Sequence, residues 1–426
     1  MNGLWPPCFT QSRNKIFPAL EIISANGGWL QTKEQKIFDA TSSWWCKHLG
    51  HRHPAILTAI AKQTDNYIHA IGANTYSHAI KELSNKLTSI FPELDKVSYA
   101  SDGSCAVEIA IKMSLHTRKL ISPNDKRTKI IKLSGAYHGE TSLALAVSDC
   151  DLYKNPYKEL LIETHTCPIP SCMGTYDQTW ENADSAWQQL LPTLESLKDS
   201  SAILIIEPLL QAANCMKIYS ADLMLKLLNW AKENNIDTIA DEIMTGFWRT
   251  GKLFAVDYIK FVPDFICLGK GLTAGSIPMS AVLSSSKRFL ACYPKHGKEQ
   301  PFLHSHTYSA HALAAATANA ALEIYLQPET AEHVAILSEK LLSGMQALAN
   351  PYLINVRGLG CVVAAELNPQ YYEKLPQPAE LQKIAARHGL LIRPLAQTIY
   401  LCPPINTSLE ELKFIFKALD KTLRLV

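Results

Sequence analysis

No run of eighteen or more apolar residues occurs in the sequence, so a membrane-spanning helix is not expected. Neither sign of charge dominates. The 41 basic residues face 39 acidic ones, a formal net charge of +2, and no polybasic footprint points to nucleic acid or to an anionic membrane surface. The N-terminal stretch has no apolar core flanked by basic residues, so no secretory signal is expected there. The eleven cysteines contain no Cys-x-x-Cys pair. The two closest, Cys167 and Cys172, have no second cluster to complete a zinc site, and no metal is expected. An odd number of cysteines in a chain of this size suits a reducing compartment, so the expected location is the cytoplasm. Internal repeats and low-complexity linkers are missing too. What is present is ordinary globular composition, 47% hydrophobic and 19% charged over 426 residues, enough for two domains with their own cores.

Short apolar runs alternate with helical spacing from about Ala55 to about Ala310. Lys129 to Leu133, Ala202 to Ile206, Thr238 to Ala240, Phe265 to Leu268 and Ser280 to Leu283 read as buried strands. Leu223, Leu227, Trp230 and Ala231 share one face of a helix between them. Such alternation predicts an α/β fold with a mostly parallel sheet covered on both faces, its site at the carboxyl ends of the strands. Asn26-Gly27-Gly28 marks a turn near the N-terminus. An alanine-rich helix follows His311, and strand-like segments lie within Val356 to Ala365, Leu390 to Arg393 and Thr398 to Leu401. The expected division is a large domain over 55–310 and a smaller α+β domain from 1–54 and 311–426.

Two polar residues end apolar strands. Lys270 lies in Gly269-Lys270-Gly271, where little side-chain bulk surrounds the amine. A desolvated neutral lysine can attack a carbonyl, although Gly-Lys-Gly also suits a plain loop. A Walker phosphate loop is excluded, because the spaced glycine before the lysine and the Ser/Thr after it are missing. Asp241 ends the other strand, where it could hold a proton on a heterocyclic nitrogen, cap a helix or bind a metal.

Together, Asp241-Glu242-Ile243, Gly246-Phe247-Trp248-Arg249 and Asp264 through Gly275 resemble the class III (omega) aminotransferase family of fold-type I pyridoxal-phosphate enzymes. The resemblance spans nearly the whole chain. It implies pyridoxal 5′-phosphate as cofactor, with Lys270 bonded to it and Asp241 paired with its pyridine nitrogen. Gly103 and Ser104 open a helix with apolar positions Ala106, Ile109, Ala110 and Met113, and would bind the phosphate at the helix N-terminus. By the same resemblance Tyr137 lies against the ring, and Glu207 sits in the cofactor or substrate cleft. Thr307 reaches the phosphate of a neighbouring subunit, which implies a homodimer with shared active sites.

Ser42-Ser43-Trp44-Trp45-Cys46 and Leu391 through Pro404 resemble the branch of this family that aminates the 7-keto group of 8-amino-7-oxononanoate in biotin formation. That resemblance implies Trp44 and Trp45 as walls for an aliphatic chain and Arg393 as a clamp on its carboxylate. The expected donor is S-adenosylmethionine, with lysine as the alternative. Three departures bear on the pocket. Phe9 replaces a substrate-contacting tyrosine. Ser305-His306 replaces Gly-Pro before the phosphate threonine. Ser101-Asp102 stands where Asp-Ser is usual, which leaves Asp102 without an assigned role. The other readings are a further class III ω-aminotransferase, acting on ornithine, 4-aminobutyrate or a diamine, and a related pyridoxal-phosphate aminomutase.

Overall fold

The computed structural model describes residues 3–425. It forms two compact units, one of Pro54–Glu332 and one of Met1–His53 with His333–Val426. The second boundary therefore falls later than the sequence suggests, and residues 311–332 belong to the large unit. The cause is the helix Ala312–Tyr325, which is apolar on nearly every face and so must be buried. It lies against the helices Pro54–Asn66 and His78–Ile90. Asn319 donates to the Ala79 carbonyl at 2.9 Å, and the Tyr325 hydroxyl to the Gly271 carbonyl at 2.8 Å.

The large unit is built on a seven-stranded sheet. In spatial order its strands are Lys96–Ala100, Ser280–Ser284, Phe265–Leu268, Asp237–Asp241, Ser201–Ile206, Lys129–Leu133 and His165–Cys167. Only Ser280–Ser284 runs against the others. All six residues of Ser201–Ile206 are buried, as expected of a central strand with both faces covered. The register sets Ile206 beside Ala240 and Asp241 beside Cys267. The residues that follow these strands, Glu207, Glu242 and Gly269-Lys270, thus emerge along one edge of the sheet. The strand Lys96–Ala100 ends at the same edge, with Ala100 opposite Ser280. The 19-residue helix Gly103–Ile121 starts there and buries Ala106, Ile109, Ala110 and Met113 in a core with Ile239, Phe265 and Val282. Leu223, Leu227, Trp230 and Ala231 are the buried face of the helix Ala221–Glu233.

The small unit carries two sheets. Ser24–Asn26, Trp29–Gln31 and Lys36–Asp39 form an antiparallel run, and Leu390–Leu391 joins it parallel to Lys36–Asp39. Leu353–Leu359, Val362–Leu367 and Thr398–Leu401 form the second, all antiparallel. The turn at Gly27-Gly28 needs glycine twice. Gly27 has φ +56°, and a Cβ at Gly28 would stand 2.4 Å from the Phe38 ring. The helix Leu409–Arg424 begins with a reciprocal cap between Ser408 and Glu411, and Glu411 also accepts the Trp29 indole N–H at 2.9 Å. None of the eleven cysteines forms a disulfide. No helix among the described residues is long and apolar enough to cross a membrane.

Candidate active site

Within the large unit, Asp241 is buried at its strand end, and its two oxygens have separate partners. Oδ2 lies 2.7 Å from Nδ1 of His138, and Oδ1 accepts the Ile243 backbone N–H at 3.1 Å. His138 is buried as well. Its own backbone N–H donates to Ser148 Oγ at 2.9 Å, while its Nε2 is buried with no hydrogen-bond partner among the described residues. Against an ionised Asp241 the ring must carry its hydrogen on Nδ1. His138 is not among the site residues expected from the sequence. The structure instead puts it in contact with the central carboxylate. The signal was its place in Tyr137-His138-Gly139, directly after a strand.

Glu207 is the next strand-end acid, and its Oε1 accepts the Tyr137 backbone N–H at 2.9 Å. Burial pushes its carboxyl well above the usual range, and the charge of Asp241 adds to this. The Tyr137 N–H and the positive charge of Lys270 pull the other way. Glu207 therefore lies within electrostatic reach of both Asp241 and Lys270. Tyr137 is half-buried, and its hydroxyl donates to Glu140 at 2.8 Å. Glu140 in turn donates its N–H to Ser104 Oγ at 3.3 Å. A Cβ on Gly139 would come 2.1 Å from that Oγ, so the loop and the helix start are closely packed.

Lys270 opens a short 3-10 turn, Lys270–Thr273, with φ +36°, a left-handed value uncommon for a non-glycine residue. At the helix start, Asp102 proves to be the N-cap. Its side chain accepts the Cys105 N–H at 3.0 Å, and its carbonyl accepts the Ser280 hydroxyl at 2.6 Å. Gly103 and Ser104 then fill the first turn. Ile243 sits between Gly103 and Gly269: a Cβ on either glycine would stand 3.0–3.1 Å from its side chain. The large unit thus supplies a buried carboxylate with a buried histidine behind it, an amine, and a helix N-terminus with small residues. These match a protonated pyridine nitrogen, an aldehyde and a phosphate, three of the polar groups of pyridoxal phosphate. Ser305 and Thr307 are exposed on the segment that precedes the Ala312–Tyr325 helix.

Next to Asp241, Glu242 is fully buried. It accepts the Thr245 hydroxyl and, at 2.8 Å, the Val256 N–H. Burial pushes its carboxyl up to about 7 from 4.5, against hydrogen bonds from Thr245 and from the Val256 and Ala255 backbones. A carboxyl raised on folding binds more protons in the folded state. Its contribution to stability is therefore full below about pH 4.5 and falls as the pH rises toward 7. Glu242→Gln should gain on the parent protein between pH 5 and pH 7, by about 2 kcal/mol in urea unfolding. An equal difference at both pH values would argue against this titration.

In the small unit, parallel pairing of Lys36–Asp39 with Leu390–Leu391 sets Asp39 opposite Leu391. The two chains leave the sheet side by side, and this brings Trp44 and Arg393 together. The Arg393 guanidinium lies 3.9 Å from the centre of the Trp44 ring, a cation–π contact. Trp44 is 40% exposed, whereas Trp45 is buried and donates its indole N–H to the Tyr400 hydroxyl at 3.2 Å. Ser42, Ser43, Trp44 and Trp45 have φ of +48°, +48°, +62° and +70°, four consecutive left-handed residues without a glycine. Such backbone costs roughly 1–2 kcal/mol per residue. No sequence signal marks this turn. Phe9 is 41% exposed, just before the Thr10 cap of the helix Gln11–Ile16. Arg13 of that helix lies within electrostatic reach of Arg393.

The model of the class III aminotransferase family matches residues 10–423. The chain belongs to the class III aminotransferases. It is a pyridoxal-phosphate-dependent transaminase of fold type I. Among named relatives, it is similar to the adenosylmethionine-8-amino-7-oxononanoate aminotransferase of Helicobacter pylori, 36% identical over 96% of this chain and 93% of the relative. The enzyme of the same name from Synechococcus elongatus is 34% identical over 99% and 98%. Among solved structures, the adenosylmethionine-8-amino-7-oxononanoate aminotransferase of Methanocaldococcus jannaschii superposes with a TM-score of 0.91 at 28% identity, covering 100% of this chain and 97% of that one. A PLP-bound amine transaminase from an uncultivated Pseudomonas species gives 0.89 at 27% identity, covering 100% and 99%.

Proposed function

We propose that this transaminase moves the amino group of S-adenosylmethionine to the 7-keto carbon of 8-amino-7-oxononanoate, giving 7,8-diaminononanoate for biotin formation. The names of its relatives support this reading. The observation that carries it is the Trp44–Arg393 pair, an indole face with a guanidinium over it. An apolar wall beside a planar cation suits an aliphatic chain that ends in a carboxylate.

When bound, pyridoxal phosphate supplies an aldehyde for the incoming amine and a ring that takes up the electron pair of the breaking bond. The rest falls to the protein. Asp241, backed by His138, keeps a proton on the ring nitrogen. Gly103 and Ser104 hold the phosphate in the first turn of their helix. Tyr137 lies against the ring, with Glu207 fixing its backbone. Lys270 Nζ holds the cofactor between turnovers. It then takes the proton from the donor α-carbon and later returns one to the carbon that receives the amino group. Trp44, Trp45 and Phe9 are the substrate-site residues of the small unit, where Arg393 clamps the oxo acid's carboxylate, and Ser305 is the substrate-site residue of the large unit.

The working unit in this reading is a homodimer in the cytoplasm, with Thr307 reaching the partner's phosphate. Ile68, Ile71 and Tyr76 are exposed on the 68–76 segment, and Leu303 and Tyr308 on the segment that carries Thr307. The 68–72 segment packs on the 308–313 segment, with Leu313 N–H to the Ile68 carbonyl at 3.1 Å and the His69 and Tyr308 rings 5.0 Å apart. An apolar face of this kind suits burial by a second copy.

The test is the visible absorbance of the holoenzyme before and after S-adenosylmethionine alone. The band of the lysine-bound cofactor should disappear as the amine form accumulates. A band that persists with S-adenosylmethionine but disappears with lysine would move the donor to lysine. No such band, even with added pyridoxal phosphate, would remove Lys270 from its role.

A further inference from the structure

We propose that Asp39 is a positioning residue for recognition of the oxo acid, acting by holding the left-handed turn that presents Trp44 to Arg393. The inference rests on the reading that Trp44 and Arg393 form part of the substrate site. Asp39 is buried at the end of the strand Lys36–Asp39, and each of its oxygens accepts two hydrogen bonds from the turn. Oδ1 takes the Thr41 backbone N–H at 2.9 Å and the Thr41 hydroxyl at 2.7 Å. Oδ2 takes the Ser43 backbone N–H at 2.6 Å and the Ser43 hydroxyl at 2.9 Å.

Four donors thus converge on one carboxylate from the two residues that flank Ser42, in a backbone that serine and tryptophan do not adopt unaided. The rest of the turn is fixed elsewhere. Ser42 Oγ donates to the Cys402 carbonyl at 2.7 Å, and Trp45 is tied to Tyr400. Ser43 is the residue immediately before Trp44, and Asp39 is the acceptor of its backbone N–H; its hydroxyl also lies 3.4 Å from His51 Nε2, and its carbonyl accepts the Cys46 thiol at 3.0 Å. Without the carboxylate, Ser43 can relax toward right-handed backbone and swing the Trp44 ring from beneath Arg393. Trp45 would stay with Tyr400. The recognition face is therefore adjusted at Ser43, by a residue that needs no contact with substrate.

Asp39→Asn is nearly isosteric and turns one oxygen into a donor facing two other donors. In the holoenzyme, KM for 8-amino-7-oxononanoate should rise about tenfold. The kcat at saturating oxo acid and the bound cofactor should stay close to the parent's, while the thermal midpoint falls by a few degrees because two buried donors lose their acceptor. Trp44→Ala and Arg393→Ala, made in parallel, should raise the same KM. Because Asp39 acts through Trp44, the Asp39→Asn/Trp44→Ala double variant should be no worse than Trp44→Ala alone.

Multiplying effects in the double variant would overturn the proposal. So would an Asp39→Asn protein that loses cofactor and kcat together. If Trp44→Ala and Arg393→Ala raise KM while Asp39→Asn does not, the site reading stands and the role of Asp39 fails. If neither Trp44→Ala nor Arg393→Ala changes KM, the site reading itself fails. Should Asp39→Asn not fold, Thr41→Val/Ser43→Ala removes two of the four donors and keeps the carboxylate. A KM raised about threefold is expected there, and an unchanged KM would overturn the proposal.

Discussion

Lys270→Ala protein should fold, take up pyridoxal phosphate, and transaminate on the order of 10⁴-fold more slowly than the parent. Folding should survive because the strand Phe265–Leu268 and the Tyr325 hydrogen bond to Gly271 do not involve the lysine side chain. Alanine also faces the same left-handed φ that lysine already tolerates. Cofactor uptake should survive because Asp241 and the helix start at Gly103 and Ser104 are untouched. What disappears is the amine that moves the proton between two carbons. Single-turnover rates with S-adenosylmethionine, followed by absorbance, separate these effects. A near-normal rate would take Lys270 out of the reaction.

Asp241→Asn should give the second largest loss, about 10²–10³-fold in kcat, with cofactor still retained. The amide keeps the size of the carboxylate and an oxygen that can accept from His138. The buried negative charge is what goes, and with it the hold on a proton at the ring nitrogen. Rates measured across pH on cofactor-saturated protein check this. An unchanged kcat would show that the buried pair with His138 serves folding alone.

The strands ending at Asp241 and Leu268 were legible because continuous apolar runs stop at a single polar residue. The helix after Ser101 was legible from its spacing, although the cap itself, Asp102, was not. Trp44 and Arg393 stood out as residue types, but their stacking did not. It depends on Asp39 pairing with Leu391, some 350 residues away in sequence, and no local pattern encodes that. The left-handed turn at Ser42 to Trp45 was hidden because serine and tryptophan carry none of the signal that glycine gives. The Ala312–Tyr325 helix was placed in the wrong domain for a related reason. A helix apolar on all sides must be buried, but its sequence does not say by which unit.

The small unit is discontinuous, and this has a consequence for the nascent chain. As the ribosome releases the protein, Lys36–Asp39 emerges some 350 residues before its parallel partner Leu390–Leu391. The large unit is continuous over Pro54–Glu332, so it can close its sheet in the meantime. Until then the N-terminal hairpin of Ser24–Asn26, Trp29–Gln31 and Lys36–Asp39 exposes an open strand edge. The recognition surface at Trp44 is thus assembled only once Arg393 has emerged, some 350 residues after its tryptophan.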